Sequence, residues 1–147
     1  MLNIENLTDT SVPIKLLESI AKSLTSREID LTICYNKTIQ AYNRAYRQKN
    51  QPTDVLSFPI DNDNIISNNN LMPLGSIVIS IDFVHLKAEE FKHTREDELA
   101  LLFIHGLLHI LGYDHEIDSG EMREEEALII QKFNLPKSLI VRTTEEN

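Results

Sequence analysis

Residues 94–112 read TREDELALLFIHGLLHILG, and the fold turns on this stretch. Thr94 with Asp97 three positions later forms a capping box, and Glu96 and Glu98 put negative charge at the positive end of a helix. Gly112 supplies the stop. Between them, Leu99, Leu101, Leu102, Phe103, Ile104, Leu107, Leu108, Ile110 and Leu111 cover almost every face of the helix. A helix that is apolar all round is a buried one, so this element is expected at the centre of the molecule. His105 and His109 sit within it, four residues apart, on one face and about one turn from each other. Burying two imidazoles without partners costs about 1–3 kcal/mol each, so something must satisfy them.

Working outward, residues 2–7 and 29–35 alternate apolar and polar and read as strands. A helix is expected between them, with Ser11 as N-cap, Pro13 near its first turn, and Ile14, Leu17, Ile20, Ala21 and Leu24 on one stripe. Residues 37–46 read as a second helix. Residues 55–60 read as a strand whose Pro59 marks an edge or an end. Residues 61–73 read as an Asn- and Asp-rich loop. Asp61 and Asp63 have calcium-loop spacing, but Ile65 stands at a ligand position and the required glycine is missing, which excludes that loop. Residues 74–81 are rich in β-branched side chains and read as a strand, followed by a helix to residue 91 capped by Asp82. A last helix spans residues 119–133, and residues 143–147 should fray. The expected architecture is α+β: one domain over residues 1–147, a small mixed β-sheet flanked by helices, with the helix of residues 94–112 at its heart.

Composition narrows the function classes. The chain has 147 residues, 41% hydrophobic and 25% charged, which suits one folded domain and excludes a disordered chain. A single cysteine, Cys34, builds no disulfide framework and reads as a small core residue. The longest apolar run, residues 99–104, falls far short of the ~20 residues of a membrane span. No basic segment leads into an apolar one at the start, so no secretory leader is expected and the cytoplasm is the default location. The net charge of −9 disfavours nucleic acid on average, yet residues 31–53 hold no acid while carrying Lys37, Arg44, Arg47 and Lys49.

Past Gly112 the chain turns and His115 follows. The pattern is His-x-x-x-His-x-x-Gly-x-x-His, and three histidines with an open fourth position form a common layout for catalytic zinc. The alternative is three ordinary core or surface histidines; the ligand spacing favours a metal. His85 and His93 lack such spacing and read as surface residues. The same spacing occurs in metzincin proteases, where a glutamate after the first histidine acts as general base. Here that position is Gly106. A helical glycine costs about 1 kcal/mol against alanine, which implies a need for space near the metal or for close helix packing. The cage is therefore read as one used for a reaction other than peptide hydrolysis.

Tyr46-Arg47-Gln48-Lys49 leads into Pro52-Thr53-Asp54-Val55-Leu56-Ser57-Phe58-Pro59. Together with the stretch from His105 to His115, these residues resemble the bacterial YbeY family of metal-dependent endoribonucleases and ribosomal RNA maturation factors. The resemblance runs from about residue 43 to residue 126. Two departures stand out: Ser76 after Gly75, and Asn50 after Lys49, where the family usually has Asp. The resemblance implies that His105, His109 and His115 bind one Zn²⁺ per chain (Ni²⁺ or another divalent ion being chemically suitable too) and that Arg47 faces the metal cleft as a catalytic residue. It implies a single-strand-specific endoribonuclease that processes ribosomal RNA precursors, including the 3′ end of 16S RNA, and serves ribosome quality control. The implied partners are the small ribosomal subunit and its assembly proteins.

The residues are consistent with that chemistry. Zinc polarises phosphoryl oxygens and lowers the pKa of bound water toward ~7. Arg47 can grip a phosphate through its planar fork. Lys49 and Ser57 are candidate substrate contacts, and Tyr42 and Tyr46 are candidate stacking platforms for bases or simply core aromatics. Asp114 either orients a ligand histidine or serves the turn. Glu116 and Asp118 are proton acceptors or the start of the last helix. Two other readings stay open: a ribosome-assembly or RNA-binding factor with a mainly structural metal, and a metallohydrolase of another class such as a peptidase.

Overall fold

The structure, a computed structural model, describes residues 1–60 and 72–136. Most of the loop expected at 61–73, the rejected calcium-loop positions and the frayed tail expected at 143–147 therefore lie outside the described residues. Along the chain come β1 (Leu2–Asn6), α1 (Ile14–Leu24), β2 (Ile29–Cys34), α2 (Asn36–Arg47), β3 (Val55–Pro59), β4 (Gly75–Ser80), α3 (Ile81–Phe91), α4 (Arg95–Ile110) and α5 (Glu121–Phe133). The strands form one mixed sheet in the order β1-β2-β4-β3. β1, β2 and β4 run parallel, as the helical connection after β1 requires. β3 pairs antiparallel with β4 at the edge, Val55 opposite Ile79 and Pro59 opposite Gly75. Pro59 closes that edge strand, where a missing N–H costs no ladder bond.

The two faces of the sheet follow from alternation. Ile29, Leu31 and Ile33 on β2 and Ile77 and Ile79 on β4 belong to the main core with Leu17 and Ile20 of α1 and Leu102, Phe103 and Leu107 of α4. The opposite face is half covered by α2, where Cys34, Ile39, Leu56 and Val78 form a second cluster with Tyr42 and Phe58 packed on it. Burial pushes the Cys34 thiol up to about 11, so it stays a neutral, inert core group at neutral pH.

α4 is the buried axis expected from residues 94–112. It packs on β3, β4, α1, α3 and α5, and Thr94 accepts the Asp97 N–H at 3.0 Å as its cap. Phe103 is fully buried. Phe103→Ala should cost about 3–5 kcal/mol, since the ring is a wholly buried member of the core that joins sheet and helices. Urea denaturation of the two proteins measures it; a loss below about 1 kcal/mol would mean that the core closes over the gap.

Several local readings are corrected. Pro13, not Ser11, holds the N-cap of α1, without a side-chain cap. Ser80, not Asp82, caps α3, and the Asp82 carboxylate instead accepts the Asn36 N–H at 2.8 Å. Glu98 is wholly buried and does more than complement the helix end: its Oε1 lies 2.7 Å from Nε2 of His93, which is only 10% exposed and so not a surface residue. His85 is half-buried as well. The last helix starts at Glu121, behind Gly120. No helix among the described residues is long and apolar enough to cross a membrane.

Candidate metal centre

The last two turns of α4 carry His105 and His109, and the turn that ends the helix carries His115. That turn is a Schellman motif. Gly112 takes φ +106°, its N–H binds the His109 carbonyl at 3.0 Å, and the Tyr113 N–H reaches back to Leu108 at 3.0 Å. The reversal brings His115 over the helix, with ring centroids 5.5 Å from His105 and 5.8 Å from His109. One ring nitrogen of each histidine lies within 4.8 Å of the others.

The hydrogen bonds say what these nitrogens can hold. His105 Nδ1 lies 3.0 Å from Glu126 Oε1, and His109 Nδ1 lies 3.0 Å from the Tyr113 carbonyl oxygen. The Tyr113 carbonyl only accepts, so His109 Nδ1 carries the proton, and an ionised Glu126 accepts from His105 Nδ1 in the same way. In the neutral rings the two Nε2 atoms are then lone-pair acceptors, and they face each other at 3.1 Å. A cation resolves that conflict. Two imidazoles on a tetrahedral zinc, at 2.0–2.1 Å each, would stand roughly 3.3 Å apart. Nδ1 of His115 is buried without a hydrogen-bond partner among the described residues. Burial first, then the neighbouring His105, holds His109 below the ordinary imidazole value, which keeps its neutral ligand form. These residues fit a divalent metal ion.

The triad opens into a cleft of about 750 Å³ that Arg47, Lys49, Ser57, Asp114 and Glu116 also line. Arg47 stands at the end of α2, with its Nη2 donating to the Ser57 carbonyl at 2.7 Å and its guanidinium 5.5 Å from the Phe58 ring centre. Ser57 Oγ donates to the Gly106 carbonyl at 3.2 Å. A Cβ on Gly106 would meet Ile77, Ser57 and Val55 at 3.1–3.3 Å. The glycine therefore serves close packing of α4 on β3 and β4, and the face that carries a base in metzincins is closed by the sheet.

The remaining candidates separate. Asp114 Oδ1 accepts the Glu116 N–H at 3.0 Å, the turn role. Asp118 accepts from Gly120 and Met122 and so starts α5. Tyr46 is not brought into the metal cleft. It is 64% exposed and stands with Tyr42 and Phe58 over a second hollow of about 620 Å³ on the other face of the sheet, where Ser76 also lies. Sequence reasoning missed Glu126. Its signal was an acid at a core position, since Met122, Glu126 and Ile129 are the buried residues of α5.

Fold and site together define an α+β protein with a three-histidine cluster able to hold a metal, in a cleft that Arg47 also lines. Comparison with known proteins narrows this class. The sequence pattern of the family described as endoribonuclease YbeY matches residues 3–134. A protein named endoribonuclease YbeY from Sulfurovum sp. is 54% identical, over 97% of both chains. One from Aliarcobacter butzleri is 53% identical over 98% of this chain and 100% of its own. A solution structure from Thermotoga maritima superposes with a TM-score of 0.60 at 28% identity, covering 90% of this chain and 89% of that one. The chain belongs to the endoribonuclease YbeY family.

Proposed function

We propose that the protein is a zinc-dependent endoribonuclease that cuts single-stranded RNA. It acts in the cytoplasm on ribosomal RNA precursors, including the 3′ end of 16S RNA, and in ribosome quality control, working with the small ribosomal subunit and its assembly proteins. The observation that carries this reading is the facing pair of imidazole acceptors, with His115 beside them, in a cleft whose wall holds Arg47, in a chain of this family.

His105, His109 and His115 would hold the ion, which when bound supplies Lewis-acid activation of a phosphodiester and its attacking group. Arg47 is held by Ser57 and Phe58, its remaining N–H groups make no hydrogen bond among the described residues and can meet a phosphate, and it stabilises the charge that develops there. Lys49 draws the backbone in. Ser57 holds β3 against α4 at Gly106 and so sets the width of the cleft.

Charge also decides when the cleft takes RNA. Arg47 and Lys49 face Asp54, Asp114 and Glu116 there, so with neutral histidines the wall is net negative. A divalent ion in the triad reverses the sign, so RNA affinity depends on metal.

Single-stranded RNA cleavage by zinc-loaded protein tests the proposal, with one zinc per chain by elemental analysis. Arg47→Glu should lower the rate by about 10²–10³-fold while zinc content is kept, as for loss of one transition-state donor. Cleavage by this variant at the wild-type rate would sink the assignment. Bound zinc without any cleavage by the wild type would point instead to an assembly factor with a structural ion.

A further inference from the structure

Glu126 lies 21 positions from His105 in sequence and on a different helix, yet its Oε1 is 3.0 Å from His105 Nδ1. It is 1% exposed and sits on the buried stripe of α5 between Met122 and Ile129, where an apolar residue is the ordinary choice. Its Oε2 is buried with no hydrogen-bond partner among the described residues. A carboxylate in such a place is costly unless it does something that an apolar side chain cannot.

We infer that Glu126 is the positioning residue of the metal centre. This rests on the zinc reading above. As an acceptor, Oε1 forces the His105 proton onto Nδ1 and so leaves the Nε2 lone pair for the ion. As part of a packed helix, it fixes the plane of the ring. An ionised carboxylate there would offset part of a bound ion's positive charge through the imidazole. His109 receives the same tautomer from a backbone carbonyl, which brings no charge. Of the two ligands on α4, His105 is thus the one whose basicity is raised by a side chain. α5 becomes part of the metal site although it contributes no ligand.

The test is zinc affinity, measured by competition with a chromophoric chelator on the full chain. Glu126→Ala should weaken binding about 10–100-fold, the usual cost of removing a partner of this kind. Glu126→Gln keeps an acceptor for Nδ1–H and should recover much of the loss, which a merely space-filling role does not predict. Binding by the Ala variant within about twofold of wild type, or a Gln variant no better than Ala, overturns the inference. If the Ala variant does not fold, long-range ¹H–¹⁵N spectra of the zinc-loaded wild type decide. Nδ1 of His105 should carry the proton and Nε2 should meet the ion; the reverse arrangement rejects the role. If wild-type protein binds no zinc, the metal reading itself fails, which is a separate result.

Discussion

His109→Ala is expected to abolish metal binding and RNA cleavage together while leaving the protein folded. This is the largest functional effect the structure predicts. His109 supplies one of the two Nε2 acceptors that face each other at 3.1 Å, and its loss leaves two imidazoles on a site meant for three. Two ligands cannot enforce a tetrahedral cage with one open position. The loss of affinity should exceed the roughly 100-fold seen when only a supporting partner is removed. The fold should survive because the ring is only part-buried and lines the cleft, whereas the core of α4 lies on its other faces. Elemental analysis, circular dichroism and an RNA cleavage assay on one preparation check all three statements. Unfolding on zinc removal would instead assign the ion a structural role, worth of order 10 kcal/mol in small zinc domains. Full cleavage without zinc would remove the triad from the mechanism.

Gly106→Glu carries the largest effect on stability. It restores the residue that metzincin proteases carry after the first histidine, and on spacing alone it should build a peptidase. The packing says otherwise. Even a Cβ would press on Ile77, Ser57 and Val55, two of them on the edge strand that bounds the cleft. Overpacking of that kind costs about 1–3 kcal/mol. A carboxylate forced into the same seam adds a desolvation cost of several kcal/mol. The sum approaches the whole stability of a domain this size, about 5–15 kcal/mol. The variant should be largely unfolded at 37 °C and show no peptidase activity. A soluble, cooperatively melting Gly106→Glu protein would show that α4 can lift off the sheet, and metal-dependent turnover of a peptide pool by it would revive the peptidase reading.

What the sequence made legible was local in nature. His105, His109 and His115 are tied by one helical turn and one glycine reversal, so spacing alone brings them together. The Thr94 cap and the burial of α4 follow from patterns within a single element, and alternation placed β1 and β2 while apolar and β-branched composition placed β3 and β4. The unreadable parts depend on segments meeting across the fold. Glu126 meets His105 only because α5 returns over α4. Glu98 looked like a helix-end charge, yet a fixed turn after Lys92 (φ +57°) brings His93 onto it. Tyr46 and Arg47 are neighbours in sequence, but helical rotation sends one to the aromatic hollow and the other to the metal cleft. The choice between space for the metal and close packing at Gly106 likewise needed the position of β3.

The helix that carries His105 and His109 is also the helix on which the rest of the molecule is assembled. Warming that loosens α4 in its socket should therefore also release a metal held there, so a metal-sensitive dye and a probe of tertiary structure should report a single transition. A core defect that does not line the cleft, such as Phe103→Ala, is expected to surface in a cell as a heat-dependent loss of function, and an added metal that binds the folded chain should partly correct it. Conditional loss of function from such a lesion should not be taken as a lesion of the active site.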